Sequence, residues 1–264
     1  MRKQLRIVSA LHAADFGRGA GYEGKSRAFE KSKQRVWALR RQNFGFEKTI
    51  KGIKYMVKRG KFVTFEGCEG CGKSTQVRLF NEYLTKENIP HIFTREPGGE
   101  KISEEIRRIL LDANNKEMTN ECEALLYAAS RVQHLNDRVE PALAQGKLVV
   151  CDRYVDSSLA YQGYARGLGV DFVSSINAYA LEKYLPDVTI FIDLSPEAAF
   201  KRKHGADEND RLEQAGMAFH QRVYEGFKAL AAANPQRYVC VDGNKTPSEI
   251  FAEVLSVLKE RNCI

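Results

Sequence analysis

The sequence predicts an α/β fold on a five-stranded parallel sheet with helices on both faces, and three observations carry that expectation. From Phe62 onward, short apolar β-rich runs (Phe62 to Phe65, His91 to Thr94, Leu148 to Cys151, Val188 to Leu194 and Tyr238 to Val241) alternate with helical stretches. Such repetition implies right-handed crossovers and a sheet covered on both sides. The chain has 264 residues, 43% hydrophobic and 28% charged, enough to bury a core that needs no disulfide or metal. A glycine-rich segment follows the first run and opens a helical stretch, the order in which a parallel sheet presents an anion-binding turn. No apolar run approaches the roughly 20 residues of a membrane-crossing helix. The six cysteines are scattered rather than spaced as a framework, which points to free thiols in a reducing, cytoplasmic compartment.

Residues 1–55 stand apart in charge. They hold 14 of the 41 basic and 4 of the 34 acidic side chains, leaving 27 basic against 30 acidic for the rest. The net charge of +7 therefore belongs to this extension, and residues 56–264 give no compositional support for a nucleic-acid surface. A glycine cluster (Gly17, Gly19, Gly21, Gly24) and the lack of sustained apolar periodicity predict a largely disordered extension. A helix between Glu30 and Arg41 has room to form, on a narrow apolar face. Three readings compete: a targeting peptide, which the four carboxylates disfavour; a nucleic-acid-binding arm, for which the aromatic residues are sparse; and a start-site artefact with translation beginning at Met56. The last is preferred, so the folded domain is expected to span residues 56–264.

The first strand run leads into Gly67-Cys68-Glu69-Gly70-Cys71-Gly72-Lys73-Ser74 and then Thr75, the G-x-x-x-x-G-K-[ST] pattern in its required strand-to-helix setting. Glycines there let backbone N–H groups turn inward around phosphate oxygens, and the helix start adds its positive end. Lys73 supplies a charge to the β and γ phosphates, and Ser74 a Mg²⁺ ligand. Cys68 and Cys71 have zinc-like spacing but no second pair to complete a site, so they read as loop-filling residues. A bound nucleoside triphosphate does not define the reaction. The guanine-reading N-K-x-D box is not met by Asn244-Lys245-Thr246-Pro247, and the size suits a small kinase acting on a small acceptor.

The later runs bring charge to the same sheet edge. The second leads into Thr94-Arg95-Glu96-Pro97-Gly98-Gly99, with Arg107 and Arg108 on the helix beyond. In Tyr127-Ala128-Ala129-Ser130-Arg131 a ring and a guanidinium share a helix face, suited to a base although such pairs are commonly structural. The third run ends in Cys151-Asp152-Arg153-Tyr154; its Asp can hold Mg²⁺ through water, and its Arg can bridge donor and acceptor phosphates. Ser195-Pro196 and Thr246-Pro247 read as helix starts, the latter with Glu249 at capping-box spacing.

Five motifs in this order, Gly67 to Thr75, Thr94 to Gly99, Tyr127 to Arg131, Asp152-Arg-Tyr-Val-Asp-Ser-Ser-Leu-Ala-Tyr-Gln-Gly163 and Asp210-Arg-Leu-Glu-Gln214, resemble bacterial thymidylate kinases from about Lys61 to the C-terminus. The resemblance implies a P-loop nucleoside monophosphate kinase-like fold with a short lid, a homodimer, and transfer of the γ-phosphoryl group of ATP to dTMP with Mg²⁺. It also assigns roles. Gly67 to Thr75 would hold ATP, and Glu69 would accept from the sugar 3′-hydroxyl of dTMP. Arg95, Arg107 and Arg153 would hold the acceptor phosphate, and Glu96, before a cis Pro97, would order water and metal. Tyr127 would stack on thymine, Arg131 would donate to its O4, Ser158 and Gln162 would complete base recognition, and Tyr161 would crowd the 2′ position. Lys73, Asp152, Arg153 and a lid arginine would be the catalytic set. The lid would run from Lys201 to Arg211, with Arg211 as the finger and Arg202 as second choice. Two rivals remain open at this point: a kinase for another nucleotide or a deoxynucleoside, and an ATP-dependent binding protein without catalysis.

Overall fold

Two strands precede the expected sheet. In the computed structural model, which describes residues 46–50, 53–203 and 210–264, β1 (Phe46–Ile50) and β2 (Ile53–Val57) pair antiparallel, with Glu47 opposite Met56. The sequence reading carried disorder through residue 55, so this hairpin is a correction. Its strand formers Thr49, Ile50, Ile53, Tyr55 and Val57 around a Lys-Gly pair are a short-range signal that a search for long apolar periodicity passes over. The helix expected between Glu30 and Arg41 lies outside the described residues.

The five apolar runs form one parallel sheet: β3 (Phe62–Glu66), β4 (His91–Arg95), β5 (Leu148–Asp152), β6 (Val188–Asp193) and β7 (Tyr238–Asp242), in the order β4-β5-β3-β6-β7. In register, Val63 faces Val150 on one side and Val188 on the other. Because β5 inserts between β3 and β4 while β6 lies beyond β3, the winding reverses at β3. The C-terminal ends of β3 and β5 flank the crevice where an open α/β sheet takes its ligand.

Alternation along the strands separates two faces. On one, Val63, Phe65, Val150, Ile190 and Ile192 pack against Phe80 and Leu84 of α1 (Lys73–Lys86) and against Ile250, Val254 and Leu258 of a C-terminal helix, Pro247–Glu260. On the other, Phe62, Val149 and Cys151 meet Leu135, Val139 and Leu143, and Phe191 meets Val223 and Phe227. Burial on both faces is why these strands read as continuous apolar runs.

The remaining helices are α2 (Lys101–Leu111), α3 (Asn120–His134), α4 (Glu140–Ala144), α5 (Val155–Ser158), α6 (Val170–Ile176), α7 (Ala178–Lys183), α8 (Pro196–Lys203) and α9 (Met217–Ala233); the C-terminal helix is α10. A π-helical turn, Leu159–Ala165, continues α5. Both expected helix starts form. Thr246 and Glu249 make a reciprocal capping box, and Ser195 Oγ accepts from the Ala198 N–H at 3.3 Å.

Candidate active site

The phosphate loop joins β3 to α1. Gly67 has φ +144°, and a Cβ there would lie 2.7 Å from Cys71 Sγ and 2.9 Å from the Ile192 carbonyl, so only glycine fits. Gly72, at φ +103°, is the N-cap of α1, with no side chain capping the helix; the first-turn N–H groups are thus left for an anion. Lys73 folds back over the loop, its Nζ donating to the Gly67 and Cys68 carbonyls at 3.1 and 2.8 Å. Cys68 and Cys71 are buried free thiols, and burial, with Cys71 beside it, pushes the Cys68 thiol up to about 12. They fill the loop, as expected.

At the end of β5, Arg153 adopts a left-handed backbone with φ +66°. Its guanidinium donates to the Gly67 carbonyl at 3.1 Å, to Ser157 Oγ at 3.2 Å and to Glu69 Oε1, tying this strand end to the phosphate loop. Burial alone would lower its pKa, but Glu69, Tyr161 and Asp152 hold it well above the ordinary arginine value. Beneath it is a carboxylate that no motif singled out. Glu66, the last residue of β3 and fully buried, accepts from the Tyr154 N–H at 2.8 Å and from Ser157 Oγ at 2.6 Å, fixing the turn that carries Arg153 and the start of α5. Burial and Asp156 push its pKa up to about 8.

At the end of β4 the expected cis bond before Pro97 is present. Glu96 lines the cleft with its carboxylate engaged by two side chains. It is buried between Arg131 Nε at 2.7 Å and His134 Nδ1 at 2.9 Å, and His134 Nε2 bonds Thr94 Oγ1 at 2.6 Å. Arg131, 2% exposed, also donates to Asn177 Oδ1 at 2.5 Å and to the Tyr154 carbonyl at 3.3 Å. One N–H on each terminal nitrogen is left for the cleft. Arg95 lies apart from these groups: its side chain is 53% exposed and grips Glu104 at 2.9 and 3.0 Å. Alternation explains this, since Thr94 points to His134 and the next residue turns to the other side of the strand.

These pieces line an open cleft bordered by Glu69, Glu96, Arg107, Tyr127, Arg131, Arg153, Ser158, Tyr161 and Gln162, among others. Every residue expected at the acceptor is there except Arg95. Arg107 reaches it braced on the Pro97 carbonyl at 2.9 Å. The π-helical turn places Tyr161 and Gln162 side by side on the cleft wall, in keeping with the concentration of such turns at functional sites. Ser158 Oγ and Tyr161 Oη are buried without a partner among the described residues, the condition of polar groups that a ligand satisfies. Burial raises the Tyr127 and Tyr161 hydroxyl pKa values above the ordinary range, so both rings stay neutral.

The Mg²⁺ that the resemblance implies can be tested against its donors. Ser74 is exposed at the start of α1, and Asp152 Oδ1 is buried with no partner among the described residues. Among those residues no group of three or more His, Cys, Asp or Glu could hold a metal unaided. One hydroxyl and one orphaned carboxylate oxygen fit a hard cation that completes its shell with phosphate oxygens and water.

The lid is only partly described, residues 204–209 lying outside. Arg202 donates to the Gly243 carbonyl at 2.7 Å. Arg211, the expected finger, bonds Glu123 Oε2 at 2.6 Å and the Leu110 carbonyl at 3.2 Å. In this arrangement it is held by a buried carboxylate of α3, and a role at the transferring phosphate requires it to leave Glu123.

A phosphate loop at the head of β3, an arginine and an orphaned aspartate at the head of β5, and a polar cleft between them define a P-loop kinase of the nucleoside monophosphate type. The family model described as thymidylate kinase matches residues 65–254. The chain is 47% identical over 205 residues to the thymidylate kinase of Clostridium novyi, covering 77% of this chain and 100% of that one. It is 47% identical over 203 residues to that of Bacillus pumilus, covering 76% and 96%, and 48% identical over 204 residues to that of Carboxydothermus hydrogenoformans, covering 77% and 99%. The chain belongs to the thymidylate kinase family.

Proposed function

We propose that the protein phosphorylates dTMP to dTDP with ATP and Mg²⁺, a step toward dTTP, in the cytoplasm, and that residues 56–264 are the kinase domain. One observation carries the choice of acceptor. Six separate chain segments meet in one cleft that gathers three guanidinium groups, Arg107, Arg131 and Arg153, with the Tyr127 ring and the polar side chains of Ser158 and Gln162. A nucleoside lacking phosphate would leave the Arg107 guanidinium, braced on the neutral Pro97 carbonyl, without an anion. Among the described residues no helix is long and apolar enough to cross a membrane.

In this reading the loop from Gly67 to Thr75 cradles the ATP phosphates and Lys73 shifts from the loop carbonyls to the β and γ oxygens. Ser74 and Asp152 hold Mg²⁺, which supplies charge neutralisation on the phosphates. Arg153 and Arg107 align the acceptor phosphate, Glu69 accepts from the sugar hydroxyl, and Tyr161 narrows the space beside the sugar. Tyr127 and Arg131 take the base. Phosphoryl transfer asks the protein mainly for such alignment and charge. Arg211 joins once released from Glu123.

A homodimer fits the exposed Ile102 and Ile109 of α2 and Leu125 and Val132 of α3. Each pair is seven residues apart, which places an apolar stripe on each helix that a second copy could cover. The deciding assay is ADP release by the full chain with dTMP, dUMP, dCMP, dGMP, AMP and thymidine. Strong selectivity for dTMP is expected, with Arg107→Ala raising KM for dTMP at least tenfold. Turnover of thymidine but not of dTMP would overturn the reading.

A further inference from the structure

Glu123 belongs to none of the motifs above. It lies one helical turn before Tyr127 and two before Arg131, on the same face of α3, and is 1% exposed. Its Oε1 accepts from Gln162 Nε2 at 2.9 Å and from Arg166 Nε at 3.2 Å. Its Oε2 accepts from Arg166 at 3.1 Å and from Arg211 at 2.6 Å. Arg166 and Arg211 both donate to this group, so it meets its neighbours as an acceptor. Only the amino group of Gln162 can face it, and the Gln162 carbonyl oxygen must turn the other way. Gln162 lines the cleft, and that oxygen is not bonded to any described residue.

We infer that Glu123 is a specificity-determining positioning residue: by holding the Gln162 amino group, it makes Gln162 present an acceptor to the base and so selects pyrimidines that carry a proton on N3. The inference rests on the dTMP reading above and deepens it. Thymine and uracil offer N3–H to such an oxygen. Cytosine offers a lone pair at N3, which leaves the buried carbonyl unbonded and facing another acceptor. Sites built to hydrogen-bond one group reject analogues lacking it by large factors, whereas burial of the thymine methyl is a separate matter that Gln162 does not touch. The two effects can be told apart by substrate: dCMP reports on the orientation of Gln162, and dUMP does not.

The test is Glu123→Gln in the full chain. An amide at 123 can give or take, so the Gln162 amide is no longer confined to one orientation. The ratio of kcat/KM for dTMP to that for dCMP is expected to fall at least tenfold while the dTMP to dUMP ratio holds. Unchanged ratios for both pairs, however far total activity drops, would mean that Glu123 is only structural and would overturn the inference. Adding Gln162→Glu to Glu123→Gln reverses donor and acceptor across the pair while keeping an acceptor toward the base, and is expected to restore discrimination against dCMP. Should circular dichroism show that Glu123→Gln does not fold, Gln162→Met, which leaves Glu123 with both arginines, carries the decision: retained discrimination against dCMP sinks the inference. Wild-type chain that does not turn over dTMP overturns the functional reading and the inference together, an outcome distinct from a selective wild type with equally selective variants.

Discussion

Removing the Glu96 carboxylate is expected to cost more stability than removing both it and its partner. Glu96→Ala leaves the Arg131 guanidinium, 2% exposed, with only the neutral Asn177 amide and Tyr154 carbonyl as acceptors, and strips His134 Nδ1 of its 2.9 Å contact. Breaking one side of a buried ion pair costs about 3–5 kcal/mol, whereas replacing both members by apolar groups is often close to neutral. The double variant Glu96→Ala with Arg131→Met should therefore be more stable than the sum of the single losses by about 1–3 kcal/mol, the range for groups in direct contact. For a domain of this size 1 kcal/mol moves Tm by roughly 2–4 °C, so Glu96→Ala should melt on the order of 10 °C lower. Far-UV circular dichroism in urea is the suitable probe, because the one tryptophan, Trp37, lies in the N-terminal extension. A loss below about 1 kcal/mol for Glu96→Ala, or strictly additive single losses, would refute the reasoning by showing that water reaches Arg131 in solution.

Three further outcomes are expected. Lys73→Ala and Arg153→Ala should each lose at least about 2–3 kcal/mol of transition-state stabilisation, as when a preorganised charge is removed; near-normal turnover of either in the ADP-release assay would contradict its place in the site. Glu66, with its pKa raised from 4.5 to about 8, keeps its proton in the folded chain over a range where the unfolded chain has lost it. Its contribution to stability must then fall as pH rises from about 4.5 to about 8. Glu66→Gln lacks that slope, so its stability relative to wild type should climb across the window in denaturant titrations, and parallel pH profiles would contradict the assignment. Cys68, with its thiol pushed up to about 12, should react with Ellman's reagent in the native chain far more slowly than the exposed Cys122; equal rates would show that the loop opens.

Much of the fold was legible because its signals are local. Strands buried on both faces appear as apolar runs, and Val63, Val150 and Ile190 needed no partner to be identified. The phosphate loop is a contiguous string whose glycines answer to backbone geometry at their own positions, and Thr246 finds its cap three residues on. The hairpin from Phe46 to Val57 was missed because two five-residue strands carry little periodic signal in a charged, glycine-containing stretch. The family resemblance carried by the five motifs is what named Glu69, Arg107, Tyr127, Arg131, Arg153, Ser158, Tyr161 and Gln162 together, and all of them line one cleft.

What the sequence determined by itself was the α/β class, the five strands and the phosphate loop, while the inventory of acceptor-side groups came through its resemblance to a known family. The tertiary structure decided which of those groups are already committed to one another. Arg95 pairs with Glu104 instead of the cleft, Glu96 is spent on Arg131 and His134, and Arg211 rests on Glu123. Glu66 and Glu123 carry no motif, yet one anchors the turn that presents Arg153 and the other orients Gln162. The reason is physical: backbone geometry and burial leave a pattern along the chain, whereas the partner of a charge depends on distance in space, and residues 88 positions apart, such as Glu123 and Arg211, meet only after the sheet and its helices have brought them together.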